Sequence, residues 1–176
     1  CAGMKHIMYS GSATWGTGDT NWGATYLNGY LDNDFLYSDS TKTSLWCYFG
    51  NSSSVSIPNT VTSIGSKAFS GNTAVTSISI PSGVTSIGAN AFSGCENLTT
   101  ITGFSNLAIT SISNGTFKNC KKLASITIPS TVTSIGDEAF YNCLLLETLT
   151  IPTAVTSIGA SAFAYCVELA ALPNLG

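Results

Sequence analysis

Charge is scarce in this chain, and arginine is missing altogether. Its 176 residues hold six lysines, nine acidic residues and one histidine, so only 9% are charged and the net charge is -3. Nucleic acid is excluded as a partner on that ground, because binding a phosphate backbone needs clustered Lys and Arg to displace counterions. The one basic cluster is Lys118, Lys121 and Lys122. The lack of histidine argues against catalysis in the same way. Nucleophilic sites need a base within hydrogen-bond reach, usually His, and His6 stands alone near the N-terminus. Long apolar runs are absent too. Although 44% of the residues are apolar, no run approaches the roughly 18 to 20 uncharged residues of a bilayer-spanning helix. Nor do cysteines occur in the close CxxC pairs on which zinc sites are built. The "DTN" at 19 and "DND" at 32 lack the other ligands of a calcium loop. No catalytic residue, metal site or cofactor is expected, and the chain reads as non-enzymatic.

Repetition is what the sequence has in abundance. "VTSIG" stands at 61, 84, 132 and 155, with the variant "ITSIS" at 109. Aligning on phenylalanine gives Phe69, Phe92, Phe117, Phe140 and Phe163, spaced 23, 25, 23 and 23 apart. Isoleucine runs in step at Ile64, Ile87, Ile112, Ile135 and Ile158. Four copies carry a cysteine three residues after the phenylalanine, namely Cys95, Cys120, Cys143 and Cys166, where the first has Asn72. Such a unit cannot offset its own ordering cost of about 1 to 2 kcal/mol per residue with about seven inward side chains. Stacked on its neighbours it buries both flat sides, which predicts a solenoid.

The segment "ITIP" alternates as a strand does, with Ile126 and Ile128 on one side, Thr127 on the other and Pro129 as a stop. Equivalent strands should pair in parallel into one long sheet. The stretch from the "AF" pair onward has helix-like spacing but room for only a turn or so. Within "VTSIG", Val and Ile read as core rungs, Thr and Ser as hydroxyl ladders between coils, and Gly65, Gly88, Gly136 and Gly159 as holders of a turn conformation. The cysteines occupy a core-facing slot and read as a row of buried free thiols.

The pattern "IPxxVTSIGxxAFxxCxxLxxI" resembles the BspA-like leucine-rich repeat of bacterial surface proteins, over residues 55 to 172. That resemblance implies a right-handed leucine-rich repeat solenoid with a short strand on the concave side of each coil. It also implies an extracellular or cell-surface role in adhesion or recognition, with a protein or glycan ligand. The face that would serve is lined by Ser56, Ser79, Thr102, Thr127 and Thr150. A structural spacer, self-associating through open solenoid ends, is the alternative.

Two regions break the repetition. The third copy reads "ITGFSNLAITSISNGTFKNC", with Gly103 in place of proline, two extra residues, and Ser113 in place of glycine. Repeat insertions map to loops, often on a working face, which makes Phe104, Lys118, Lys121 and Lys122 a candidate contact site; a surface loop also tolerates such an insertion at little cost. Residues 1–50 do not repeat and form a separate N-terminal part before the repeats of 51–176. "FLYSDSTKTSLWCYFG" reads as a hairpin that caps the first coil, while Trp15, Trp22 and Tyr26 could instead form a platform for sugar rings. Cys1 is the kind of first residue that lipoprotein processing leaves, and a lipid there would be the one membrane attachment. A fragment beginning there by chance has the same first letter.

Overall fold

A repeat of 23 residues is long enough for two strand segments and a return, and each unit of this chain makes both. The structure, a computed structural model, describes residues 29–169. Three strands come first: β1 (Tyr30–Asp32), β2 (Phe35–Tyr37) and β3 (Ser44–Tyr48). Five coils follow, each with a three-residue and then a two-residue strand. The three-residue strands are β4 (Ser54–Ser56), β6 (Ser77–Ser79), β8 (Thr100–Thr102), β10 (Ser125–Thr127) and β12 (Thr148–Thr150). The two-residue strands are β5 (Ser63–Ile64), β7 (Ser86–Ile87), β9 (Ser111–Ile112), β11 (Ser134–Ile135) and β13 (Ser157–Ile158). The chain is thus a parallel-strand solenoid, as the period predicts. The second strand per coil, at the "SI" of the pentapeptide, was not expected.

The single long sheet is also corrected. Three-residue strands pair in parallel as β4-β6-β8 and β10-β12; two-residue strands pair as β5-β7, with the start of β3 added to β5, and as β9-β11-β13. Both rows break in the third coil, and its substitutions supply the reason. In regular coils the glycine N–H donates to the isoleucine carbonyl one coil back, as from Gly88 to Ile64 (2.8 Å) and from Gly136 to Ile112 (2.8 Å). At Ser113 the side-chain Oγ makes that bond instead, to Ile87 O at 2.7 Å. A side chain between the coils holds the backbones apart, and β7 does not pair with β9. On the other row, Gly103 has φ 82° and leads into a 3-10 turn, Phe104–Asn106. That turn packs against β10 where β8 would have paired with it.

The return edge of each coil stays continuous through the break. Phe69, Phe92, Phe117 and Phe140 donate their N–H groups to Ala91, Thr116, Ala139 and Ala162 of the next coil, at 2.7 to 2.9 Å. This edge is built of turns; the 3-10 turn at Phe104–Asn106 is the helical element among the described residues. Inside it the rings form a column. Phe35, Tyr48, Phe69, Phe92, Phe117, Phe140 and Phe163 follow one another at 5.0 to 5.4 Å between centroids. Ring pairs at this distance add about 0.5 to 1.5 kcal/mol each beyond burial.

The pentapeptide glycines act otherwise than expected. Left-handed backbone falls two residues after them, at Lys67, Asn90, Gly115, Glu138 and Ser161, with φ of 52 to 61°. The glycines themselves sit where coils touch. A Cβ on Gly136 would stand 2.6 Å from Asn114 N and 2.9 Å from Ser113 C, and one on Gly159 would stand 2.6 Å from Gly136 C. Close approach, not turn geometry, requires them.

The predicted hairpin is present and longer. β2 and β3 pair antiparallel, and β1 adds to β2. Asp39 closes the β2–β3 turn by accepting the N–H groups of Thr43 and Ser44, both at 3.2 Å. β3 then pairs in parallel with β5, Leu45 opposite Ile64, and Tyr48 takes the phenylalanine slot beside Phe69. The hairpin is therefore bonded to the first coil as a degenerate coil of its own.

Candidate functional site

Strand alternation places the predicted hydroxyl face. In each three-residue strand the central side chain points inward: Val55, Ile78, Ile126 and Leu149 are buried and Ile101 is partly buried. The residues that follow them, Ser56, Ser79, Thr102, Thr127 and Thr150, are all exposed. Register brings Ser56, Ser79 and Thr102 abreast in one group and Thr127 and Thr150 in another. The break in the third coil separates the two groups. None of these five hydroxyls makes a hydrogen bond among the described residues, so each keeps its donor and acceptor for a partner.

The hydroxyls of the pentapeptide are used internally. Thr85, Thr133 and Thr156 donate through Oγ1 to the carbonyls of Thr62, Thr110 and Thr133, one coil back, at 3.2 to 3.3 Å. The expected hydroxyl-to-hydroxyl ladder has one rung, Ser86 Oγ to Ser63 Oγ at 2.8 Å. Side chain to carbonyl is the general rule, because a stacked carbonyl lies in reach of every threonine whatever its neighbour carries.

Of the contact site read from the insertion, Phe104 is not available. Phe104 is buried and meets Phe117 edge-on, centroids 5.3 Å apart at 82°. It fills the core beneath the break in the sheets and is closed to a ligand. Two of the three lysines are neutralised in place: Lys118 Nζ lies 2.6 Å from Glu138 Oε2, and Lys121 Nζ 2.8 Å from Glu96 Oε1. Lys118 also stands over the ring of Tyr141, 5.0 Å from its centroid. Lys122 is exposed. The aromatic platform of Trp15, Trp22 and Tyr26 lies outside the described residues, as do His6 and Cys1.

The cysteine row is as expected. Cys95, Cys120 and Cys143 are free and buried, and Cys166 is free and half-buried. Each thiol donates to the phenylalanine carbonyl of the preceding coil, Cys95 to Phe69, Cys120 to Phe92, Cys143 to Phe117 and Cys166 to Phe140, at 3.1 to 3.2 Å. Burial pushes the Cys95 thiol up to about 12 and that of Cys120 well above the ordinary range. Cys143 is pushed up by the neighbouring Cys166 and by burial, and the same neighbour lowers Cys166. Cys47 stands apart, buried on β3 and disulfide-bonded. Among the described residues no group of three or more His, Cys, Asp or Glu could hold a metal ion.

Known proteins bear on what this surface serves. The chain matches the BspA type leucine rich repeat region over residues 40–170, in six copies. The copy beyond the five read from the sequence accords with β3, whose "TSL" at 43–45 corresponds to the "TSI" of later coils. Two solved structures are similar in sequence as well as fold. One is a leucine-rich repeat protein of T. pallidum, 33% identical with TM-score 0.68, covering 73% of this chain and 61% of that one. The other is a leucine-rich repeat protein from Bacteroides ovatus, 35% identical with TM-score 0.64, covering 79% of this chain and 37% of that one. A leucine rich cell surface protein from Faecalibacterium prausnitzii shares the fold at 24% identity and TM-score 0.58, covering 85% of this chain and 55% of that one. The chain therefore spans less than two thirds of each of these proteins. No curated protein matches it.

Proposed function

Because this chain belongs to the BspA-type leucine-rich repeat family, we propose that it is an extracellular, non-enzymatic recognition module, binding a protein or glycan through the hydroxyl face of its three-residue strands. The observation that carries this reading is the contrast between two sets of hydroxyls. Those of Thr85, Thr133 and Thr156 are bonded between coils, whereas those of Ser56, Ser79, Thr102, Thr127 and Thr150 are exposed and unspent. Coil stacking repeats them at the strand spacing of about 4.8 Å, so a partner meets an uncharged array of paired donors and acceptors. Adhesion is the activity such a face suits, since many weak bonds along an extended surface add up without a deep pocket. The surface location of the F. prausnitzii protein supports placing this chain outside the cell.

The test is binding of the full chain to a panel of extracellular-matrix proteins and glycans, with Ser79→Lys and Thr127→Lys as variants. Both sites are exposed, so folding should be unchanged, while a captured ligand should be lost from each variant. No ligand above background, or capture indifferent to both substitutions, would remove the reading. Light scattering on the same samples addresses the alternative: a mass rising with concentration would support self-assembly.

A further inference from the structure

Asn114 is followed by glycine, and no other asparagine among the described residues is. That pair is reactive where Asn-Leu or Asn-Thr is not. Glycine has no Cβ to shield its own nitrogen, so the nitrogen can attack the side-chain carbonyl of the asparagine before it. In this reaction the Gly115 nitrogen gives up its proton and bonds to Asn114 Cγ, the Cγ–Nδ2 bond breaks, and ammonia leaves with that proton. Water then opens the cyclic imide. Opening at Cγ leaves an ordinary aspartate; opening at the main-chain carbonyl leaves an isoaspartyl link, in which the backbone runs through the side chain. Water is the one co-reactant, and nothing is oxidised or reduced.

The fold holds both reacting groups. Gly115 N–H donates to Asp137 O at 2.8 Å, and Asn114 Oδ1 accepts the Asp137 N–H at 3.0 Å. A single residue of the fourth coil thus grips the nucleophile and the electrophile of the third. Ring closure requires the Asn114 side chain and the peptide after it to rotate toward each other, and both bonds oppose that rotation. Asn114 is itself exposed, so water and base reach its side chain, while Gly115 is buried. The asparagine is accessible yet locked. Its lock belongs to the coil least tied to its neighbours, since β9 pairs with β11 but not with β7.

From this arrangement we infer that Asn114 and Gly115 form a self-modification site gated by the contact between coils three and four. The pair is stable while the contact is shut and converts to aspartate and isoaspartate when it opens. Conversion is one-way and independent of the recognition reading. Either product adds a negative charge to the wall that already carries Asp137 and Glu138, and the isoaspartyl link lengthens the backbone inside a coil whose period must match its neighbours. A peptide map of the full chain, incubated in mildly alkaline buffer with and without denaturing urea, tests the gate by following aspartate and isoaspartate at position 114. The map separates this pair from Asn28 and Gly29, the other Asn-Gly in the sequence. Conversion at 114 should be at least roughly tenfold faster in urea, because chemistry confined to an open state slows by the fraction of time the state is open. The variant Asn114→Asp, the ordinary product, should have a lower urea midpoint than the parent at low salt, and added salt should restore part of the difference by screening the carboxylates. Equal rates in the folded and unfolded chain would overturn the gate, and no conversion at 114 in urea would overturn the site. An Asn114→Asp midpoint equal to the parent's would overturn the consequence drawn for the coil contact.

Discussion

At the residue scale the glycines of the pentapeptide and the thiols are informative because each admits two explanations that differ in consequence. If Gly136 held a left-handed turn, asparagine would substitute for it well. Since a Cβ there runs into Asn114 and Ser113 of the coil before, Gly136→Asn should be as harmful as Gly136→Ala. Each should cost about 1 to 3 kcal/mol as an overpacked contact does, read from urea unfolding; rescue by asparagine would return the glycine to turn duty. The thiols give a pH dependence. Cys95 is raised from 9.0 to about 12 by burial, and Cys120 and Cys143 are raised as well. The folded protein therefore keeps protons that the unfolded chain releases above pH 9. Stability is full below that pH and falls as pH rises toward 12, by about 1.4 kcal/mol per pH unit for each such thiol. Urea midpoints measured from pH 7 to 10.5 should decline above 9, and the decline should lessen in Cys95→Ala. A flat profile would mean the thiols are open to water. The repeat made the burial of these cysteines legible, because a fixed slot beside Phe and Leu faces inward in every copy. It could not reveal the bond from each thiol to a carbonyl one coil back, which exists only between coils.

At the element scale the third coil is where the sequence and the structure diverge most. Two extra residues and a missing proline suggest a loop on a working face, and such a loop would carry Phe104 outward. The structure turns it inward because the broken sheets leave core volume that a phenyl ring fills against Phe117. Phe104→Ala should then cost about 3 to 5 kcal/mol, the range for a buried phenylalanine, seen as a lower midpoint in thermal or urea unfolding. A variant as stable as the parent would restore Phe104 to the surface. The N-terminal hairpin shows the opposite balance. Its alternating strands and polar turn were readable from "FLYSDSTKTSLWCYFG", yet its membership of the repeat was hidden because Leu45 and Tyr48 replace Ile and Phe. Only pairing with β5 and stacking on Phe69 disclose the equivalence.

At the scale of the whole molecule the solenoid has one weak section. Both parallel rows stop at the third coil while the return edge and the phenyl column run on, so the coils on either side share fewer backbone bonds there than elsewhere. Stability in such an array is close to a sum over units and their interfaces, and a weakened interface should divide it. Native-state hydrogen exchange should resolve two cooperative units, one spanning residues 44–102 and the other 110–158. Amides at Thr110 and Ser113, which lack the bonds that Thr133 and Gly136 make, should exchange fastest within their unit. One common exchange free energy along the chain would exclude the division.

The sequence by itself determined the period, the inward residues, the hairpin, the thiol row and the five outward hydroxyls, because all of these follow from spacing along one coil. What stands across from each residue was decided only by stacking. The spent and unspent hydroxyls, the close approach at Gly136 and the meeting of Tyr165 with Tyr141 depend on contacts 20 or more residues away in the chain, and the burial of Phe104 on Phe117 in the following turn. A residue's own letters fix which way it points within its coil. The coil before and the coil after fix what it touches.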